Sequence, residues 1–216
     1  MARNARTAWM LRPGHLVAAS VLIASFALDG PAREARGLVV KAVPRWLLGS
    51  LAHGGDLVTL AAVVAILFAC GLVARRSRFT RAAIVLASAL TVTGLVVLSL
   101  KWFASRGPDG VFYGFGTGEG GIMFPSGHTA LAFAACAVIG AVWRKARWPA
   151  CVIAAGVAVS RAILIHFLSD VVAGALIGLL VGRLVTGWAA NKGFLILDPH
   201  SQAVPSPAPE GRAPPS

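Results

Sequence analysis

The sequence predicts an all-α, polytopic membrane protein: a bundle of six transmembrane helices with an interfacial helix in the first outer loop. Two properties predict this class. Of the 216 residues, 57% are hydrophobic and only 13% are charged, whereas a soluble domain would be nearer half apolar and a quarter charged. The apolar residues also fall into six runs, each close to the length at which a helix crosses the hydrocarbon core.

The six runs make up one membrane domain, residues 14–190. Arginines precede the first run, as they do in a signal peptide, but no small-x-small cleavage site follows it, so we expect an uncleaved first span. In chain order the runs are Gly14–Leu28, Asp56–Ala74, Ala82–Leu100, Ser126–Trp143, Trp148–Ile165 and Asp170–Trp188.

Three segments lie outside the runs and have distinct compositions. Residues 1–13 form a basic N-terminus. The connection 30–55 mixes apolar and basic residues, which favours a helix lying in the membrane interface. The tail 191–216 is rich in Pro, Ser and Ala, so we expect it to be disordered.

Basic residues on alternate connections predict the orientation in the membrane. The positive-inside rule makes these connections cytoplasmic, so both termini are expected in the cytoplasm. Because the net charge of +12 is divided among short tracts beside the spans, it reads as a topology signal and we expect no nucleic-acid partner. The tracts are Arg3, Arg6 and Arg12; Arg75, Arg76, Arg78 and Arg81; and Arg144, Lys145 and Arg147.

A second set of polar residues is expected at the opposite, outer ends of the spans. They come from four separate parts of the chain but should share one depth in the membrane. Ionisable groups at such a depth are costly and usually mark a functional site. The set comprises Lys101, Arg106, Ser126, Gly127, His128, Arg161, His166 and Asp170.

The composition of this set suits phosphoryl transfer. Lysine and arginine side chains bind phosphate oxygens, and the free N–H groups at the Ser126-Gly127 helix start attract an anion. Of two histidines, one can attack phosphorus while the other protonates the leaving oxygen. Asp170, four residues after His166, can hold one ring nitrogen and set the tautomer. No cluster resembles a two-metal site, so we expect the protein's cations to replace magnesium and expect no cofactor.

Four of these residues also have a simpler interpretation when considered singly. His128 can make an ordinary hydrogen bond at a helix end, and Lys101 can be an interface anchor. Asp170 can be a helix N-terminal charge, and Arg106 a solvated loop charge. Arg161 is harder to explain in this way, because it should lie within the membrane. We interpret His53 and Asp56 as a turn and cap before the second span, with the lesser alternative that they line the site. The three cysteines, Cys70, Cys136 and Cys151, have no metal-binding spacing and are expected to be structural thiols.

Three motifs in this set resemble a known family. The stretch FPSGHTA at 124–130, the stretch SRAILIHFLSDVVAG at 160–174 and the stretch KWFASRGP at 101–108 resemble the motifs of the type 2 phosphatidic acid phosphatase (PAP2) superfamily. The likeness covers about 101–174 and the six-span layout. Pro-Ser-Gly-His alone is a weak signal, but together with His-x-x-x-Asp about forty residues later it is a specific one.

The resemblance implies a bacterial membrane enzyme and a role for each residue, while the distribution of basic residues predicts an inner-membrane location with the site facing the periplasm. His166 would be the nucleophile that forms a phosphohistidine, Asp170 would orient it, and His128 would be the general acid. Membrane members of the family act on lipid phosphates such as phosphatidate, phosphatidylglycerol phosphate, polyprenyl diphosphates or lipid A. The phosphate would be bound by Lys101, Arg106, Ser126, the Gly127 amide and Arg161.

The sequence departs from the family pattern at two arginines. Arg106 follows Lys101 after four residues, where the family usually has six before an Arg-Pro pair. Four residues separate Arg161 from His166, where five are usual. One residue turns a helix by about 100°, so Arg161 reaches the pocket only if its helix ends between the two residues.

The sequence leaves two alternatives to a hydrolase. A phosphotransferase would use the same phosphohistidine but discharge it onto a lipid or sugar hydroxyl. A transporter or anion-binding protein could keep the motifs without catalysis, although a transporter more often has broken helices or inverted repeats near the midplane. We infer no obligatory protein partner, and neither the lipid nor the oligomeric state follows from the sequence.

Overall fold

Eight helices and one short β-ribbon make up the described part of the chain, residues 13–115 and 123–195, in a computed structural model. A turn of 3-10 helix at Arg144–Ala146 precedes the seventh helix. The elements are α1 (Pro13–Ala27), α2 (Asp29–Ala42), α3 (Arg45–His53), α4 (Leu57–Val73), α5 (Ser77–Phe103), β1 (Ser105–Arg106), β2 (Phe112–Gly114), α6 (Gly127–Val142), α7 (Arg147–Leu164) and α8 (Leu168–Asn191).

The predicted all-α membrane class is confirmed, since each of the six apolar runs coincides with a helix: α1, α4, α5, α6, α7 or α8. Three helices are by themselves long and apolar enough to cross a membrane: α5, α8 and the helical stretch Arg144–Leu164 that ends in α7. The pairs α1–α2 and α3–α4 meet the same criterion together but bend by 65° and 48°. Helix α6 is apolar but has only 16 residues.

The first outer connection contains two helices, α2 and α3, where the sequence analysis predicted one. Pro44 separates them because it cannot donate to an interior helical hydrogen bond and disfavours helical geometry in the preceding residue. Val43 is accordingly extended, with φ −106° and ψ 128°. The break lets α3 turn towards α7 while α2 stays near the start of α8.

Glycines on one face of α8 set its register against α6. A Cβ added at Gly174 would lie 2.5 Å from the Ser126 carbonyl oxygen, and one at Gly178 would lie 2.1 Å from that of Ala130. Such small residues four apart let two helix backbones approach closely. The start of α8 is thereby held beside the start of α6, where the Ser126 N–H donates to the Asp170 carbonyl oxygen (2.9 Å).

The half of the bundle away from the start of α6 is apolar, and the packed chain continues past the predicted end of the domain. Leu86, Val138 and Val142 are almost fully buried in this core. Arg78 donates to the Val142 carbonyl oxygen, which ties the start of α5 to the end of α6. Leu195, assigned to the predicted tail, is also buried in the core. The rest of that tail, 196–216, and the N-terminal residues 1–12 lie outside the described residues.

A small antiparallel ribbon, which the sequence analysis did not predict, follows α5. Strand β1 pairs with β2 across a turn in which Gly110 has φ +91°, a conformation that glycine adopts without steric strain. The ribbon turns the chain back over the bundle and carries Arg106 to the start of α8.

Candidate active site

The ends of four helices meet at the end of the bundle that the sequence predicts to face outward, and they bring five of the predicted residues together. His128 is in the first turn of α6, Arg161 is in the last turn of α7, and His166 and Asp170 flank the start of α8. The charge of Lys101, at the end of α5, interacts with those of Asp170 and Arg161. The charge of His128 interacts with those of Arg161 and His166. These five side chains therefore share one site.

His166 lies in the link between α7 and α8, with a different charged group beside each ring nitrogen. Its Nε2 is 3.5 Å from Nη2 of Arg161, and its Nδ1 is 3.4 Å from Oδ2 of Asp170. The second distance is too long for a hydrogen bond of good geometry, and contacts of this kind often tighten when substrate binds. A proton on Nδ1, facing Asp170, leaves the lone pair on Nε2.

Arg161 reaches His166 because α7 ends between the two residues. The helix stops at Leu164, and the His166 N–H turns back to the Arg161 carbonyl oxygen (2.9 Å). Arg36, from α2, donates to the carbonyl oxygens of Leu164 and Ile165, which would otherwise lack partners at a helix end. The shorter spacing from Arg161 to His166 is thus accommodated by a helix end that α2 holds in place.

Asp170 is fully buried, and both of its carboxylate oxygens accept hydrogen bonds. Oδ1 accepts from Arg106 Nη1 (2.7 Å), and Oδ2 accepts from the Phe167 N–H (3.0 Å). A buried carboxylate with such donors stays charged and fixed in orientation. Its position relative to His166 is therefore set independently of the histidine.

The structure gives Arg106 contacts that differ from the predicted phosphate contact. Its guanidinium bridges two carboxylates, Asp170 and, through Nη2, Oδ2 of Asp29 (2.8 Å). It also donates to Ser169 Oγ (2.7 Å) and, through Nε, to the Gly110 carbonyl oxygen (3.1 Å). Arg106 donates four hydrogen bonds to protein groups and is only 5% exposed. It is therefore a structural bridge between Asp29 and Asp170. Its predicted role as a phosphate ligand has no support in this geometry.

Aromatic rings enclose the Arg106 guanidinium. Its central carbon lies 4.0 Å from the ring centroid of Phe167, 5.1 Å from that of Phe112 and 5.8 Å from that of Phe26. Cation–π contacts of this kind strengthen when water is excluded. The rings therefore favour the charged guanidinium at a site where an unpaired charge would be destabilising.

We expect Arg106→Ala to destabilise the fold by about 3–5 kcal/mol, because it leaves the buried carboxylates of Asp29 and Asp170 without their shared cation. Thermal unfolding of the purified protein in detergent measures this. Arg144→Ala, which removes an exposed arginine at the other end of the bundle, is the matched control. A raised KM with unchanged thermal stability in Arg106→Ala would instead support the phosphate contact.

His128 contacts a carboxylate that the sequence analysis assigned to another role. Its Nε2 is 2.7 Å from Oδ1 of Asp56, and the other oxygen of Asp56 meets His53 Nδ1. Asp56 precedes α4 at its cap position, but its side chain makes no capping hydrogen bond, so this part of the predicted cap is wrong. The hydrogen bond from His53 is the main cause that lowers the pKa of Asp56; burial opposes it and His128 adds to it.

The remaining predicted phosphate ligands lie at the start of α6. Ser126 is fully buried, and its hydroxyl is 3.1 Å from that of Thr129, so the hydroxyl is occupied within the first turn. Gly127 is the first residue of α6, where backbone N–H groups lack helical acceptors. The phosphate contacts of Ser126, Gly127 and Lys101 remain predictions.

Two acidic residues contact the site although the sequence analysis did not place them among its residues, because each has a simpler interpretation as a turn or cap residue. Asp29 contacts Arg106 and also accepts from the backbone N–H of Ser169 (2.9 Å), 140 residues away. In sequence it reads as part of the turn after the first span. Asp56, just before the second span, is likewise interpreted from sequence as a helix cap. A charged residue at the outer end of a span was the available signal.

A cavity of about 510 Å³ opens beside His166, between α2 and the link from α7 to α8. Arg33 and Arg36 are in its wall, while Ala162 and Ile163 contribute apolar surface. Across residues 13–115 and 123–195, no three His, Cys, Asp or Glu side chains are grouped as metal ligands.

Comparisons with known proteins agree with this architecture. The model of the PAP2 superfamily matches residues 82–194, more than half of the chain. A solved structure described as the first transmembrane PAP2 type phosphatidylglycerolphosphate phosphatase, from Bacillus subtilis, is similar with a TM-score of 0.61 and 23% identity. The alignment covers 82% of this chain and 92% of that one; at this identity the likeness shows the fold. No curated protein matches the chain.

Proposed function

Because the chain belongs to the PAP2 superfamily, we propose that it is a membrane phosphatase that hydrolyses a lipid phosphomonoester or diphosphate through a phosphohistidine on His166. The family supports the general class, a phosphatase of the lipid-phosphate type. The intermediate, the residue roles and the independence from metal are our proposals, and so is a phosphorylated lipid as the chain's partner. We propose no nucleic-acid or obligatory protein partner.

The observation that carries the proposal is the pair of charges on either side of the His166 ring. Asp170 lies 3.4 Å from Nδ1 and Arg161 lies 3.5 Å from Nε2. A carboxylate beside Nδ1 favours the tautomer whose Nε2 is unprotonated. A guanidinium beside Nε2 is where the oxygens of an attacked phosphoryl group would bind. The same ring thus has a nucleophilic nitrogen next to an anion-binding cation.

Arg161 has bonding capacity that a phosphate would use. Its Nε is buried and has no hydrogen-bond partner among the described residues, which is unfavourable for a buried donor. A phosphoryl oxygen at this position would accept that hydrogen bond. Lys101 and the Gly127 amide would bind the other oxygens, so that protein cations and N–H groups neutralise the charge that magnesium neutralises elsewhere.

The proposed reaction has two steps and returns both histidines to their starting states. In the first, Nε2 of His166 bonds to phosphorus, the bond from phosphorus to the lipid oxygen breaks, and His128 gives that oxygen a proton. In the second, His128 takes a proton from water, whose oxygen displaces His166 and releases inorganic phosphate. In-line displacement needs the nucleophile and the acid on opposite sides of phosphorus, which is consistent with their location on different elements.

Phosphate release from a panel of phosphorylated lipids, presented to the purified chain in detergent, tests the proposal. The panel includes phosphatidate, phosphatidylglycerol phosphate and a polyprenyl diphosphate, each with and without a strong chelator. We expect release from at least one lipid at a rate that the chelator leaves unchanged. Transfer of the label to an added alcohol with no free phosphate would point to a phosphotransferase. Activity lost to the chelator and restored by magnesium would contradict the cation-based mechanism.

We further propose that the chain resides in the bacterial inner membrane with both termini in the cytoplasm and the active site facing the periplasm. In a cysteine-free background, Asp109→Cys in the ribbon turn should react with an impermeant thiol reagent in cells with a permeabilised outer membrane. Ser77→Cys, at the basic end of α5, should not react until the inner membrane is opened. The reverse pattern would invert the topology.

A further inference from the structure

Asp56 connects two histidines at the edge of the active site. One carboxylate oxygen lies 2.7 Å from Nε2 of His128, and the other meets Nδ1 of His53. His128 and Asp56 are each about one third exposed, while the His53 side chain is 73% exposed. The three-residue chain therefore runs from solvent to the proposed general acid.

Close packing of the turn before α4 places Asp56 beside His128. Gly55 packs directly on the first turn of α6, because a Cβ added there would lie 2.5 Å from the His128 carbonyl oxygen. The contact at Gly54 is less tight, since a Cβ added there would lie 3.0 Å from a methyl group of Val157 in α7. Because a side chain at Gly55 would push the turn away from α6, this glycine allows the close approach. Asp56 keeps the extended backbone of a cap residue, but its side chain makes no capping hydrogen bond and contacts His128 instead.

We propose that Asp56 is a positioning residue for His128, which favours the protonated imidazole and fixes the orientation that delivers a proton to the lipid oxygen. The inference rests on the proposed function. A general acid must hold its proton until the leaving oxygen develops charge, and a carboxylate hydrogen-bonded to one ring nitrogen stabilises the imidazolium. With Nε2–H donated to Asp56, Nδ1–H is the proton that passes to the leaving oxygen.

The site then contains two histidine–carboxylate pairs with different tasks. Asp170 lies beside the nucleophile and sets its tautomer, whereas Asp56 lies beside the acid and stabilises its charge. His53 has no required part in proton delivery, because His128 gives one proton in the first step and recovers one from water in the second. Removing His53 should therefore change all rates by the same small factor.

The test compares two substrates that differ in their need for the acid. Phosphatidate has an alkoxide leaving group, which needs a proton, whereas the aryl oxygen of nitrophenyl phosphate leaves with little help. Asp56→Asn should lower kcat on phosphatidate by about 10²-fold and on nitrophenyl phosphate by less than about threefold, with KM unchanged. Asp56→Glu should restore a large part of the phosphatidate rate, because it restores the charge.

A double-mutant comparison separates this role from a structural one. If Asp56 acts through His128, Asp56→Asn should cause no further loss in the His128→Ala background. His53→Gln is the matched control, since it removes the other contact of the same carboxylate. Equal losses on both substrates, a phosphatidate rate within about twofold of wild type, or a full additional loss in His128→Ala would each overturn the proposal.

The design also distinguishes this inference from the function on which it rests. Wild-type protein that releases phosphate from none of the lipids in the panel would refute the proposed function itself. If it hydrolyses another lipid of the panel and not phosphatidate, that lipid takes the place of phosphatidate in the comparison with nitrophenyl phosphate. If Asp56→Asn does not yield folded protein, Asp56→Glu and the double variant with His128→Ala provide the same comparison. In that case an Asp56→Glu variant that loses both activities equally would overturn the role of Asp56.

Discussion

Replacing His166 with alanine is expected to abolish turnover on every substrate, a loss of at least about 10⁴-fold in kcat. The reason is that the His166 ring lies between Asp170 and Arg161 with an unprotonated nitrogen available to attack phosphorus, and water would have to replace this nucleophile in the variant. The loss should be the same for lipid and aryl phosphates, because both need the same attacking nitrogen. Steady-state phosphate release from the two substrates measures it.

The variant should remain folded, so the loss can be assigned to chemistry. Asp170 keeps its hydrogen bonds from Arg106 and from the Phe167 N–H when the imidazole is removed. His15→Ala, at the inner end of α1, is the control for the general effect of losing a histidine. Residual activity within about tenfold of wild type in His166→Ala would mean that another residue is the nucleophile.

Replacing His128 with alanine is expected to produce a loss that depends on the leaving group. Protonation by a positioned acid contributes about 10²–10⁴-fold, so phosphatidate hydrolysis should fall by that factor. Nitrophenyl phosphate, whose oxygen leaves with little proton assistance, should lose no more than about tenfold. The ratio of the two kcat values, measured on one preparation, is the informative quantity because it cancels differences in the fraction of active protein.

The effects of the two histidine variants on the rates should therefore differ in pattern as well as in magnitude. His166→Ala should lower both rates together, and His128→Ala should separate them. If His128→Ala lowers both rates equally, the imidazole contributes to binding or structure and the acid must be sought elsewhere. If His166→Ala separates the rates, the two roles are exchanged.

The parts of the site that could be predicted from sequence are those set by local geometry. The four-residue spacing of His166 and Asp170 places a carboxylate near the ring whenever a helix starts between them, and α8 does start there at Leu168. The Pro-Ser-Gly-His stretch likewise predicted a helix start at the outer end of a span. The six helices followed from apolar length alone, because a chain in the bilayer must satisfy its backbone hydrogen bonds internally.

The parts that could not be predicted depend on contacts between segments far apart in the chain. Asp29 meets Ser169, and Asp56 meets His128, only after α2 and the turn before α4 have packed on the outer end of the bundle. Arg106 illustrates the consequence. A cation near a predicted anion site is naturally interpreted as a ligand. In the folded protein, however, Arg106 pairs with two carboxylates and is enclosed by aromatic rings. The spacing of residues in the sequence does not indicate which side chains such a charge will contact in the folded protein.

The central claim is that phosphate passes through His166, and trapping the phosphorylated protein tests it most directly. Wild-type protein is mixed with excess radiolabelled substrate, quenched within a single turnover, digested and mapped by mass spectrometry. We expect a phosphoryl group that is labile in acid and stable in alkali, located on the peptide that contains His166 and absent from the His166→Ala variant. A phosphopeptide that contains another nucleophile, or label that persists in His166→Ala, would show that His166 does not carry the phosphoryl group.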